Sequence, residues 1–157
     1  MRFRFIEASP SPAERFALDE IAMKYAGQAG AGVIALYRMD RSAISISRVQ
    51  NYSDVVAREF DGRRFDVIRR PSSGSSVVHN DEGGDFSYTV VLPLKEVPRI
   101  PSGMVDKSAF RLRYSCVPVQ GALASLGIEA DILKQNYIMV GGKEGRTISS
   151  NAYAQNT

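Results

Sequence analysis

The residues best suited to chemistry lie in one stretch, residues 69–79, which reads RRPSSGSSVVH. The pattern predicts a strand ending in two arginines, a loop of small residues, and a strand ending in the only histidine. Small side chains let a ligand approach backbone N–H groups, and arginine offers a planar fork of donors to phosphate or carboxylate. Because side chains alternate along a strand, Arg69 and Arg70 point to opposite faces and one of them meets a ligand. The stretch indicates either a small-anion site or a serine-rich hairpin with solvated arginines.

The only histidine and the only cysteine each have a simpler structural interpretation. His79 follows an apolar strand, so a structural hydrogen-bonding role stands beside a role in lining a pocket. Cys116 falls inside a predicted apolar helix and is interpreted as core packing. One cysteine excludes an intrachain disulfide, and nothing indicates an oxidising compartment.

The composition predicts one domain, residues 1–157, of an ordinary globular protein. The 157 residues are 44% hydrophobic and 24% charged, with a net charge of +3. The arginines at 63, 64, 69 and 70 focus that mild positive charge locally, which suits a small anion better than a nucleic acid. The first nine residues, MRFRFIEAS, lack the apolar core expected of a signal peptide, and no stretch approaches the roughly 18 apolar residues of a membrane span. We therefore expect a cytoplasmic protein without nucleic-acid or membrane partners.

The elements that must position these residues alternate between strands and helices. Ser11 and Glu14 have the spacing of a capping box, which predicts a helix over 12–25 that ends at Gly27 and Gly30. A short helix is predicted over 53–60, capped by Ser53, and a long one over 105–126, kinked at Pro118 and ended by Gly127. Strands are predicted at 2–7, 33–37, 43–47, 65–70, 75–78, 86–92, 128–132, 137–140 and 146–149, with 75–78 and 86–92 forming a pair. The sum is an α/β (α+β) domain, a mixed sheet flanked by helices.

Residues 69–79 also resemble a known signature, R-R-x-S-G-G-G-A-V-x-H-D, of the lipoate–protein ligase A family. Residues 14–20, 45–51, 85–90, 122–128 and 145–152 resemble further family segments in the same order, so the resemblance covers nearly the whole chain. It implies a divergent, short biotin/lipoate protein ligase catalytic domain, with the fold shared by class II synthetases and biotinyl-lipoyl ligases.

The resemblance implies a two-step reaction in which ATP, with Mg²⁺, activates lipoate or octanoate as an acyl-adenylate. A lysine of a lipoyl carrier domain, in a 2-oxoacid dehydrogenase E2 or the glycine cleavage H protein, then takes the acyl group. The residues carried over by position as the adenylate and acyl site are Arg70, Ser72, Ser73, Gly74, Ser75, Ser76, His79, Gln50, Asn51 and Thr147.

The sequence departs from the family pattern where the chemistry is most demanding. The family lysine that meets the acyl-adenylate falls on Thr147, whose hydroxyl carries no charge. Lys143 is a possible substitute, although four residues of strand place it about 13 Å away. Ser73, Ser75 and Ser76 stand in place of two glycines and an alanine.

Three alternatives follow from these departures. The chain is a catalytically weakened homologue that binds a lipoyl group or a carrier, one subunit of a split ligase, or an octanoyltransferase, for which no suitably placed cysteine is found. Its end, directly after the last predicted strand, fits a frayed tail or a shortened domain that needs a second polypeptide.

Overall fold

The computed structural model describes residues 1–55, 59–60, 62–80, 86–134, 136–141 and 145–150, without the side chains of 60, 146 and 148–150. They belong to two compact units, one comprising Met1–Val97 and the other beginning at Pro98. The strands of the first unit are β1 Phe3–Ala8, β2 Gly32–Tyr37, β3 Ala43–Ile46, β4 Glu59–Phe60, β5 Arg63–Arg64, β6 Asp66–Arg69, β7 Val77–His79 and β8 Ser87–Val91. The predicted single domain stays a prediction.

One sheet of the first unit has the strand order β1-β2-β8 and carries the helix α1, Pro12–Ala29. β1 runs parallel to β2, and β8 runs antiparallel to it. Ala22 and Ala26 of α1 pack against Val33 of β2 and Val91 of β8, so these small side chains bring the helix close to the sheet. The mixed α/β fold predicted from the sequence is confirmed.

α1 begins as predicted and ends later than predicted. The Ser11 hydroxyl accepts from the Glu14 N–H, and the Glu14 carboxylate accepts from the Ser11 N–H, which completes the capping box. The prediction that Gly27 ends the helix was wrong, because α1 continues to Ala29. Gly30 ends it with a φ of 61°, and its N–H donates to Ala26 O.

The second sheet of this unit has the order β6-β3-β7 and positions the candidate site. β3 is buried along its whole length, runs parallel to β6 and antiparallel to β7. The prediction that 75–78 and 86–92 pair with each other was wrong: β7 pairs with β3, and β8 pairs with β2. Adjacency in the sequence suggested a hairpin, whereas the two strands belong to different sheets.

The predicted helix over 53–60 is also wrong. A single 3₁₀ turn, Tyr52–Asp54, lies there, capped at Asn51 and not at Ser53, and Glu59–Phe60 pairs with Arg63–Arg64 as β4 and β5. Residues 56–58 lie outside the described residues. The Asp54 carboxylate accepts from the Asn51 N–H, which stabilises the short turn locally.

The second unit packs helix α2, Lys107–Ser125, on an antiparallel sheet of β9 Ala130–Leu133, β10 Tyr137–Val140 and β11 Arg146–Ser150. Asp106 caps the start of α2. Gly127, with a φ of 76°, ends it in a Schellman motif, in which the N–H groups of 127 and 128 donate to carbonyls of the last turn.

Cys116 is fully buried against Ala130 and Ile138, as the interpretation of core packing requires. Neither helix in the described part of the chain has the length and apolarity needed to cross a lipid bilayer.

Candidate functional site

Arg70 lies at the end of β6 and organises the serine-rich loop from inside. Its side chain uses all five N–H donors within the protein. Nε donates to Ser72 Oγ (3.0 Å), Nη1 to the carbonyl oxygen and Oγ of Ser45 (3.0 and 3.2 Å), and Nη2 to the carbonyl oxygens of Ser73 and Ser75 (3.3 and 2.5 Å). Only 7% of Arg70 is exposed. The guanidinium is therefore the internal support of the loop.

The inward carbonyls fix the direction of the neighbouring N–H groups. Peptide groups are planar and all are trans among the described residues, so the N–H that follows an inward carbonyl points away from Arg70. This applies to the N–H groups of Gly74 and Ser76, which donate to no other described residue. Two such donors on an exposed loop, next to a buried cation, are available to an anion.

The charge of Arg70 has no counter-ion among the described residues, where the ion pairs are Arg15–Asp19 and Arg41–Asp40. Burial lowers the pKa of Arg70, and the like charge of Arg15 lowers it further. Guanidinium nonetheless stays protonated in proteins. Because five neutral oxygens, and no carboxylate among the described residues, surround the guanidinium, its surroundings keep a positive potential that attracts an anion.

His79 joins the same group of side chains from β7. Its Nε2 lies 2.9 Å from Ser45 Oγ, the oxygen that also accepts from Arg70 Nη1. The ring packs edge-on against Phe16 of α1, with centroids 6.3 Å apart. Ser45 thus brings Arg70 and His79 together at the centre of the β6-β3-β7 sheet.

Arg69, the residue before Arg70, binds a different segment, the turn after β3. Its Nη1 donates to three carbonyl oxygens, those of Ser47 (2.9 Å), Arg48 (3.2 Å) and Gln50 (2.7 Å). The sequence predicted that Arg69 and Arg70 face apart, but it gave no sign that both guanidiniums bind carbonyl oxygens.

The turn after β3 and the serine-rich loop are bonded to each other. The Arg48 N–H donates to the carbonyl oxygen of Ser72 (3.1 Å). The Gln50 side chain accepts from the Ser47 N–H (2.8 Å) and donates to Ser76 Oγ (3.0 Å). We call residues 47–51 and 70–76 together the serine cradle. Of the carried-over residues, the cradle contains Gln50, Asn51, Arg70, Ser72, Ser73, Gly74, Ser75 and Ser76.

Gly74 is the one cradle position that needs glycine. Its φ is 115°, a conformation that L side chains rarely adopt, and an added Cβ would lie 3.1 Å from Arg70 Nη2. The serines that replace the family's other small residues sit at exposed positions of the loop. Their side chains therefore line the outside of the loop.

A second polar cluster lies beneath the cradle on α1, β2 and β8. Arg15 and Asp19 form an ion pair of 2.9 Å, and Thr89 Oγ1 donates to Asp19 (2.7 Å). The Arg15 guanidinium lies 4.4 Å from the Phe16 ring centre and 5.6 Å from that of Tyr37. Through Phe16 this cluster adjoins His79. Sequence reasoning missed it, although residues 14–20 had been matched to the family's first helix.

Burial dominates the electrostatics of this cluster. It raises the pKa of Asp19 and lowers that of Arg15, with the ion pair opposing both shifts. Burial, reinforced by the nearby Asp19 carboxylate, raises the pKa of Tyr37 to about 12. The Tyr37 hydroxyl is buried beside the Asp19 carboxylate, whereas Arg15 Nε and Ser47 Oγ are buried outside hydrogen-bonding geometry with any described group.

The remaining candidates lie in the second unit. Thr147 is exposed on β11, where it pairs with Met139 beside an irregularity in the β10–β11 register. Lys143, the possible substitute for the family lysine, lies outside the described residues.

Comparison with known proteins then identifies the family. The sequence model of the lipoyl protein ligase A/B catalytic domain matches residues 11–157. A crystal structure of lipoate-protein ligase A bound with ATP has a TM-score of 0.71 and 22% identity, over 99% of this chain and 62% of that one. No curated protein matches the sequence.

Two structures from Thermoplasma acidophilum are similar as well. A bipartite lipoate protein ligase, studied with its E2 lipoyl domain, has a TM-score of 0.63 and 21% identity, over 99% of this chain and 57% of that one. A lipoate protein ligase with bound lipoic acid has a TM-score of 0.64 and 20% identity, over 99% of this chain and 64% of that one. The chain thus spans less than two thirds of each of these three relatives, and such identities establish a shared fold.

Proposed function

Since this chain belongs to the lipoyl protein ligase A/B catalytic domain family, we propose that it binds a lipoyl- or octanoyl-adenylate and serves the transfer of the acyl group to a carrier lysine. The observation that carries the proposal is the serine cradle. The buried charge of Arg70 and the unused N–H groups of Gly74 and Ser76 suit the phosphate of an acyl-adenylate.

The proposed reaction has two steps. In the first, a carboxylate oxygen of the acid attacks the α-phosphorus of ATP, the bond to the bridging oxygen breaks, and pyrophosphate leaves. In the second, the carrier lysine, as a neutral amine, attacks the acyl carbonyl carbon, and AMP leaves with the electrons of the broken C–O bond while the nitrogen loses a proton. Fixed donors such as those of Gly74 and Ser76 stabilise the phosphate charge without reorganising.

The other ligands follow from the relatives. One solved relative is bound with ATP and another with lipoic acid. Among the described residues, no three His, Cys, Asp or Glu side chains come together to hold a metal. In our proposal Mg²⁺ therefore arrives on the phosphates of ATP, as this ion commonly does. The acyl acceptor is a lipoyl carrier domain, and the site of action is the cytoplasm.

A second candidate function is a ligase subunit that binds its ligand but needs another polypeptide to catalyse. Thr147 favours it, because an exposed neutral hydroxyl stands where the family has a lysine. The bipartite ligase from T. acidophilum offers the precedent of two polypeptides. An octanoyltransferase with a cysteine nucleophile is disfavoured, because Cys116 is fully buried.

The test measures acylation of an E2 lipoyl domain by mass spectrometry, with ATP, Mg²⁺ and lipoate or octanoate. It compares the wild type with Thr147→Lys and, as a neutral control of similar length, Thr147→Gln. We expect the wild type to be slow and Thr147→Lys to be faster by roughly a hundredfold, the effect of about 3 kcal/mol from one positioned charge. Thr147→Gln should match the wild type.

A direct binding measurement accompanies the assay. The probe is octanoyl-sulfamoyl-adenosine, a stable mimic of the acyl-adenylate, titrated by calorimetry into the wild-type chain. If the wild-type chain binds this probe saturably but acylates the lipoyl domain only after a second polypeptide is added, the second candidate function, a ligase subunit, is favoured. Absence of binding with and without that polypeptide would refute both candidates.

A further inference from the structure

The serine cradle depends on Arg69, which is not among the residues carried over as the adenylate and acyl site. We propose that Arg69 is a positioning residue that sets the shape of the 47–50 turn and, through Gln50, the position of the serine-rich loop. The expected effect of Arg69 on ligand affinity rests on the proposed function. Its effect on the shape of the turn rests only on the contacts in this chain.

Three carbonyl oxygens converge on one nitrogen of Arg69. The oxygens of Ser47, Arg48 and Gln50 all lie within 3.2 Å of Arg69 Nη1. Three partial negative charges so close together repel one another unless a cation lies between them. The positive charge of Arg69 therefore makes this tight turn stable.

Hydrogen bonds link the 47–50 turn to the serine-rich loop. With its carbonyl oxygen held by Arg69, Gln50 directs its side chain back to the Ser47 N–H and across to Ser76 Oγ. The Arg48 N–H reaches the carbonyl oxygen of Ser72 from the same turn. The turn therefore contacts both ends of the loop that Arg70 supports from inside.

Arg69 differs from a ligand-binding residue in the groups that it contacts. Among the described residues, the Arg69 side chain bonds to carbonyl oxygens of the turn after β3 and to no residue of the serine-rich loop. Its loss should therefore change how well the cradle is preorganised for its anion and leave the chemistry of Arg70 and His79 intact.

The variants separate charge from shape. Arg69→Met removes the charge while keeping an unbranched side chain, and Arg69→Lys restores a charge. Arg64→Met is the matched control, because Arg64 is an exposed arginine on β5, outside the cradle. The thermal midpoint of each variant shows whether the chain still folds.

The first measurement is amide hydrogen exchange, which needs no ligand. In Arg69→Met, the amides of Arg48 and Gln50 should exchange at least about tenfold faster than in the wild type. Arg69→Lys should restore most of the protection, and Arg64→Met should leave it unchanged. Unchanged exchange at both amides in Arg69→Met would overturn the inference, whatever the protein binds.

The second measurement is the Kd for octanoyl-sulfamoyl-adenosine. Arg69→Met should raise the Kd about tenfold or more, and adding Gln50→Ala to it should raise the Kd little further, because both act through the same link. Full additivity of the two effects would refute the proposed route through Gln50. If the wild type fails to bind while exchange in Arg69→Met is faster, the proposed function fails and the positioning role of Arg69 stands.

Discussion

Replacing Arg70 by methionine tests whether the cradle is held from inside by one side chain. Methionine keeps an unbranched apolar stem but removes five hydrogen bonds to Ser45, Ser72, Ser73 and Ser75. A bond from a charged donor contributes roughly 1.5–3 kcal/mol, so the set would amount to about 7–15 kcal/mol if each acted alone. The buried charge has its own desolvation cost of several kcal/mol, which methionine does not carry.

We therefore expect a net loss of about 3 kcal/mol in the free energy of unfolding, within the range for removing one partner of a buried polar network. Urea unfolding followed by tyrosine fluorescence measures it, since the chain has no tryptophan. Arg70→Lys should lose less, because its ammonium carries three donors but lacks the planar fork. The Kd for octanoyl-sulfamoyl-adenosine should rise at least about tenfold in Arg70→Met. If stability and binding both match the wild type, the reasoning from Arg70 is wrong.

Three further predictions concern glycine geometry and buried polar groups. Gly74→Ala should destabilise the chain by about 1–2 kcal/mol and weaken probe binding. The control is Gly103→Ala, because Gly103 also has a positive φ, 86°, but an added Cβ there would meet no other atom. It therefore reports the backbone strain alone in the same urea experiment. If both variants lose the same free energy of unfolding, the contact of residue 74 with Arg70 contributes nothing. Tyr37→Phe should lower the free energy of unfolding by about 1 kcal/mol, because the buried Asp19 carboxylate loses the neighbouring hydroxyl, and should remove the tyrosine that titrates with a pKa of about 12 in an absorbance titration. Because the folded-state pKa of Asp19 is raised above 3.8, its contribution to stability is fully present below about pH 3.8 and is lost as the pH rises through the raised value. Relative to Asp19→Asn, the wild type should therefore become more stable as the pH falls from about 7 to about 4, and a difference that does not change with pH would contradict this.

Local signals in the sequence predicted the parts of the fold that depend on local interactions. The capping box of Ser11 and Glu14 and the glycine that ends α2 involve residues a few positions apart, so their spacing is sufficient. The helix predicted over 53–60 failed because its last residues, Glu59–Phe60, pair as a strand with Arg63–Arg64. Which strands pair depends on contacts between distant segments, and adjacency was therefore misleading for β7 and β8.

The candidate site shows the same limit. The sequence indicated the small residues of the loop and the separation of Arg69 from Arg70, because both follow from residue type and alternation. It did not indicate that Ser45 connects Arg70 with His79, since Ser45 lies on another strand of the sheet. The ion pair of Arg15 and Asp19 was missed because a helical spacing of four residues occurs on most solvated helices.

The parallel pairing of β3 with β6 gives the two adjacent arginines a role in folding accuracy. In the native register Ile46 lies opposite Arg69, so the two guanidiniums reach opposite faces and each finds its own set of oxygens. A slip of one residue would move Arg69 away from its acceptors in the turn after β3, and Arg70 away from its two acceptors on Ser45. Arg69 would lose its three bonds, and Arg70 would keep only those to Ser72, Ser73 and Ser75 on its own segment, so the misaligned sheet would be less stable than the native one. The adjacent arginines therefore favour the native alignment of these two strands, whether or not a ligand is ever bound.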